Sequence, residues 1–86
     1  MEKRTAEKRI GVAAILIEDK ESVPKVNAIL SEYGEIIVGR MGIPYKEKSV
    51  NVISIVMDGT TDEIGAMAGK LGNLPGVMIK TVLSKK

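Results

Sequence analysis

Residues 36–57 read IIVGRMGIPYKEKSVNVISIVM, and this stretch decides the fold. Two apolar runs, Ile36 to Ile43 and Val50 to Met57, flank the short polar connection Tyr45-Lys46-Glu47-Lys48-Ser49. Pro44 has no N–H to give to a strand ladder and marks the end of the first run. So short a link between two β-rich runs predicts an antiparallel hairpin.

Upstream, Val26, Ile29, Leu30 and Tyr33 recur at i, i+3, i+4, i+7, the single apolar stripe of a helix. Ser22 fits its N-cap, Pro24 its first turn and Gly34 its C-terminal end. Before the polar turn Glu18-Asp19-Lys20-Glu21, the run from Arg9 to Glu18 is apolar on both parities: Ile10, Val12, Ala14 and Leu16 on one, Ala13, Ile15 and Ile17 on the other. Such a run predicts a strand buried on both faces. Downstream, Asp58-Gly59-Thr60-Thr61 closes the third strand, and Thr60 with Glu63 forms a capping-box pattern. Ile64, Met67, Ala68 and Leu71 mark the inner stripe of a second helix, which stops at Gly72 before the breaker Pro75-Gly76. Val77 to Leu83 is the last strand.

The order is βαββαβ. Right-handed crossovers joining parallel neighbours would bring both helices onto one sheet face. This is the α+β, ferredoxin-like plan: a four-stranded antiparallel sheet with two helices on one face. Residues 9–86 make one domain, and residues 1–8 read as a disordered tail.

The 86 residues contain no Cys and no His. That excludes disulfides, thiolate nucleophiles, cysteine or histidine zinc sites, cysteine-held iron–sulfur clusters and any hydroxyl nucleophile served by a histidine base. No Asp cluster has the pattern of a calcium or magnesium loop. No apolar run approaches the ~20 residues of a membrane span, and the charged start lacks a signal core, so the cytoplasm is the expected location. The net charge of +2 concentrates at the ends, in Lys3, Arg4, Lys8, Arg9, Lys85 and Lys86. Solvated termini are the plain reading of these cations, and nucleic-acid binding is the alternative. With two Tyr and neither Phe nor Trp, stacking platforms are scarce, which argues against direct contact with nucleic acid.

The third strand, like the first, is apolar on both parities, with Val52 and Val56 on one and Ile53, Ile55 and Met57 on the other. Helices on one sheet face leave the second face uncovered, and a large apolar surface there predicts a homodimer or higher oligomer.

Three groups of residues are candidates for a ligand or interface site. Gly39, Arg40 and Gly42 lie in the second strand, where glycine marks a bulge or a close approach. Arg40 is read either as an edge-strand side chain reaching solvent or a neighbouring subunit, or as a bidentate clamp for carboxylate or phosphate. Asp58, Gly59 and Thr60 precede a helix N-terminus, either as an ordinary cap or as an anion site. Gly65 and Gly69, four apart, give the second helix a smooth strip suited to a neighbouring helix, within the chain or between subunits. The acids Glu18, Asp19 and Glu21 read as solvated loop charges, not a catalytic pair. The chain lacks GxxxxGK[ST], and no catalytic, metal-binding or cofactor-binding residue is assigned.

The segments RIGVAAI (9–15), SVPKVNAIL (22–30), IVGRMGIPY (37–45), GKLG (69–72) and LPGV (74–77) together resemble the iron-only hydrogenase system regulator family. The resemblance covers nearly all of the chain after residue 8. It implies an ACT-like domain of ferredoxin-like type, related in fold to amino-acid-sensing regulatory domains and to the C-terminal domain of the nickel-responsive repressor. It also implies a regulatory association with hydrogenase maturation systems. Nickel sensing is excluded by the missing His and Cys. The loop from Glu18 to Ser22 has no glycine, a poor fit to amino-acid sensing there, and the arginine-bearing phosphate loop of acylphosphatases is missing. The combined expectation is a non-enzymatic, cofactor-free regulatory module that self-associates and takes a small effector or a partner protein. The alternative is a nucleic-acid binder using basic termini on an oligomeric scaffold.

Overall fold

The computed structural model describes residues 7–86, whose four strands and two helices follow the predicted order. They are β1 Lys8–Ile17, α1 Val23–Glu32, β2 Ile37–Tyr45, β3 Val50–Thr60, α2 Thr61–Gly72 and β4 Val77–Leu83. Short 3₁₀ turns fill Lys20–Ser22, Gly34–Ile36 and Lys46–Lys48. The sheet order is β2-β3-β1-β4, and every neighbouring pair is antiparallel. This is the ferredoxin-like α+β architecture. One detail differs from expectation: the crossovers join parallel strands that are not neighbours. The hairpin turns β3 back between β1 and β2, and β1 likewise separates β3 from β4.

Register divides the side chains cleanly between two faces. Ala13, Ile15 and Ile17 of β1 pair with Ile55, Ile53 and Asn51 of β3, and all but Asn51 are buried beneath the helices. Helix α1 adds Val26 and Leu30 to this core, and α2 adds Ile64, Met67 and Leu71. The 3.6-residue stripe of each helix meets the two-residue alternation of the strands. Each fully buried aliphatic side chain contributes about 1.5–3 kcal/mol. Across the outer helix surfaces, Lys70 Nζ lies 2.8 Å from Glu32 Oε2 and 5.1 Å from the centre of the Tyr33 ring.

Element ends depart from the sequence reading in several places, among them β2, which carries Pro44 within the ladder and ends at Tyr45. Lys8, assigned to the tail, pairs with Thr60 inside the sheet, while residues 1–6 of that expected tail lie outside the described residues. Strand β3 does not close at Met57 but runs on to Thr60, since β1 reaches far enough to pair with it. Ser22 makes no side-chain cap; its buried hydroxyl instead donates to the Pro75 carbonyl at 2.6 Å, tying the start of α1 to the turn before β4. Gly34 does not end α1 in a left-handed conformation but opens a 3₁₀ turn. The glycine with positive φ is Gly76, at +68°, where an added Cβ would stand 2.7 Å from Asp19 Cβ and 2.9 Å from its nitrogen.

Candidate functional site

The other face of the sheet carries no helix. Its residues follow from the register: Ile10, Val12, Ala14 and Leu16 of β1; Val52, Ser54, Val56 and Asp58 of β3; Gly39, Met41, Ile43 and Tyr45 of β2; Met78, Lys80 and Val82 of β4. Two rows are apolar across the whole width. One runs Val82, Val12, Val56, Gly39, and the other Met78, Leu16, Val52, Ile43. The row between them holds Lys80, Ala14, Ser54 and Met41, so its one charge sits on the edge strand. At 62% for Met41 and 72% for Val82, these side chains stand largely in water. Surface of this kind is characteristic of an interface.

The residues singled out in the sequence occupy three separate places. Strand β2 is an edge strand, and a register shift between Ile37 and Gly39 marks the bulge expected there. Arg40 lies opposite Ile55 on the helix side of the sheet and donates to Asn27 Oδ1 of α1 at 3.0 Å. Gly42 lies opposite Ile53, with room for a Cβ whose nearest neighbour would be Ile53 Cγ1 at 3.9 Å.

At the end of β3, Thr60 and Glu63 form a reciprocal capping box: Glu63 N donates to Thr60 Oγ1 at 3.0 Å, and Thr60 N donates to Glu63 Oε1 at 2.9 Å. Two of the free N–H groups at that helix start are thereby used. Gly59 is buried, and an added Cβ would meet Ile36 and Glu63 at 3.1–3.2 Å, so close packing accounts for the glycine. Asp58 faces the open side, opposite Ile10. Gly65 and Gly69 are exposed on α2, with nothing within 4 Å of either Cβ position. Close packing by α1 therefore does not account for these two glycines, although α1 meets α2 next to Gly69 through Glu32 and Lys70.

A profile of the TM1266-like family, described as "Iron-only hydrogenase system regulator, putative", matches residues 9–81. The chain belongs to this family. Among solved structures, it is similar to the uncharacterized protein TM1266 from Thermotoga maritima, with 36% identity and a TM-score of 0.88 over 92% of this chain and 100% of that one. The C-terminal domain of the MgtC protein from Mycobacterium tuberculosis shares the fold alone, at 12% identity and a TM-score of 0.69 over 99% of this chain and 95% of that one. No curated protein matches.

This family member also carries a groove that no sequence motif announced. It lies between the start of α1 and the tip of the β2–β3 hairpin, with a volume of about 450 Å³. A shallower extension of about 200 Å³ continues along β2 past Gly42 to Arg40, and the two share Ile17, Val23, Pro44 and Asn51. On the helix side of β2, Gly42 stands between Arg40 and Pro44 and offers α1 no side chain to pack on, which leaves the space open. Lys20 and Lys46 line its wider end, together with Ser49, a non-glycine residue held at φ 56°. Spacing in the sequence cannot reveal such a site, because Lys20 and Lys46 meet only through the fold.

Among the described residues no three His, Cys, Asp or Glu side chains gather as a metal site, and no helix is long and apolar enough to cross a membrane.

Proposed function

We propose that this member of the regulator family works without catalysis, as a module in which two copies pair through their open sheet faces. The observation that carries this reading is the two apolar rows crossing all four strands. Four strands about 4.8 Å apart and seven residues at about 3.3 Å each make a face of roughly 19 by 23 Å, about 440 Å² in projection. Side-chain relief raises the accessible area above that, so two such faces reach the ~1,000 Å² at which a specific interface becomes credible. A second copy is the fitting occupant because an apolar patch complements itself under two-fold symmetry, whereas a charged patch would repel its copy. The family description supports a regulatory role, and the absence of Cys and His leaves no thiolate nucleophile, histidine base or histidine- or cysteine-held metal. Sedimentation velocity at about 10 and 100 μM tests the pairing, since an interface of this size commonly holds in the micromolar range. A dimer at both concentrations is the expected result; a monomer at the higher one refutes it.

A second reading has one observation in its favour. The first and last strands are neighbours, with Ser84 N donating to the Ile10 carbonyl at 2.8 Å, so Lys8, Arg9, Lys85 and Lys86 converge on one end of the sheet. Retention on a polyanion column that falls steeply with salt would favour nucleic-acid binding through this corner. Elution with other proteins of similar charge would exclude it.

A further inference from the structure

We infer that the groove between α1 and β2 is a binding site for a small amphipathic anion, a carboxylate or phosphate head on a short apolar body. This rests on the regulatory reading only in treating the ligand as an effector; the groove is complete within one chain and does not need the dimer.

Three features on different elements agree. The volume of about 450 Å³ lies within the range of small-molecule sites, and the extension toward Arg40 lengthens it. The walls are apolar at Ile17, Val23, Pro44 and Val50, enough to desolvate a branched or linear hydrocarbon. The charged side chains lining the groove are all cations: Lys20 and Lys46 at the wide end, Arg40 at the narrow one. No Asp or Glu lines either part. Among the described residues neither Lys20 nor Lys46 makes an ion pair, and Arg40 spends one donor on the neutral Asn27 amide. Cations that line apolar walls and make no ion pair are the complement of an anion with a hydrocarbon tail.

Ser49 supplies a further observation. It sits in the left-handed region, where a glycine or asparagine would be less strained, and it closes the hairpin turn by donating its N–H to the Lys46 carbonyl at 3.2 Å. The strained turn thus places Lys46 at the mouth of the groove.

The test is an amide-resolved NMR titration of the intact chain with 4-methylpentanoate, 3-methylbutyl phosphate and the uncharged 4-methylpentanamide. Both anions are expected to give saturable shifts at Lys20, Gly42, Lys46 and Ser49; whichever head binds more tightly identifies the natural source of the charge. The amide should bind at least about fivefold more weakly, and Lys20→Gln with Lys46→Gln should weaken the anions about tenfold, as expected when charge-assisted contacts are removed. Gly42→Val puts a side chain into the extension, where an added Cβ would stand 3.9 Å from Ile53 Cγ1, and it should weaken both anions about threefold while unfolding stays cooperative. Shifts that map to Val12 and Val56, equal affinity for the amide, anion binding unchanged by Lys20→Gln with Lys46→Gln, or no saturation at about 20 mM would each overturn the site. Self-association is measured separately, so a monomer that still binds the anions would sink the pairing and leave the site standing.

Discussion

The pair Val12 and Val56 sits directly cross-strand at the centre of the open face, with 44% and 39% of each residue still exposed. Replacing both by Thr keeps the branched shape that suits a strand and exchanges a methyl for a hydroxyl. Fully burying a valine is worth about 1.5–3 kcal/mol, so covering the exposed two-fifths would contribute about 0.6–1.2 kcal/mol per side chain. A two-fold dimer covers four such side chains; Thr gives up about half of that burial with the lost methyl and adds about 0.5 kcal/mol for each of four buried hydroxyls, roughly 3–4.5 kcal/mol in all. At about 1.4 kcal/mol per factor of ten, the double variant should dissociate about 10²- to 10³-fold more readily. Sedimentation equilibrium across about 1 μM to 1 mM covers the expected change in affinity. Urea unfolding of the dilute monomer should show its stability altered by less than about 1 kcal/mol. A dissociation constant within about fivefold of the parent would refute the placement of the interface on this face.

Gly76→Ala should lower the unfolding free energy by at least about 2 kcal/mol, because the new methyl meets the Asp19 backbone in a left-handed turn; an unchanged urea midpoint would show that the turn yields freely. Gly65→Ala with Gly69→Ala should raise stability by about 1–2 kcal/mol and the melting temperature by several degrees, since both methyls enter open space on a helix. If the same variant instead loses its self-association, α2 and not the open face makes the contact. The Lys70 ammonium is held above its ordinary value of 10.5, first by the Glu32 carboxylate bonded to it and then by Tyr33. Its contribution is therefore fully present below pH 10.5 and is lost as pH rises through the raised value, so any stability difference between the parent and Lys70→Gln should vanish in strong alkali. Both partners are exposed, so that difference should be small throughout, and one that persisted in strong alkali would contradict the assignment.

Local chemistry made the architecture legible. The stripes Val26–Leu30 and Ile64–Leu71, the capping box at Thr60 and the short link from Tyr45 to Ser49 each act over a few residues, so their outcome can be read without knowing the fold. The double apolar parity of the first strand predicts burial on both faces, whereas in the chain Ala13, Ile15 and Ile17 are buried and Val12 and Leu16 on the other face are exposed, because both helices lie on one side. Contacts between distant segments could not be read in this way. Nothing near Ser22 says that its hydroxyl will find Pro75, and nothing near Gly76 says that Asp19 will crowd it. Glycine at 42 was read as a mark of a bulge or a close approach, whereas its consequence in the fold is an opening. Gly59 carries the same signal and is tightly packed. The difference lies in what the opposite element places there: Ile36 and Glu63 over Gly59, nothing bulky over Gly42.

The middle position of β1 has a consequence for how the chain is made. Ile15 lies between Ile53 and Ile79, so during synthesis this strand waits for partners that are made well after it. The β2–β3 hairpin can close on its own within microseconds, but β1 can join only after long loops have been brought together. Until then a segment apolar on both sides has no backbone partner, and an unpaired strand of that kind is open to aggregation.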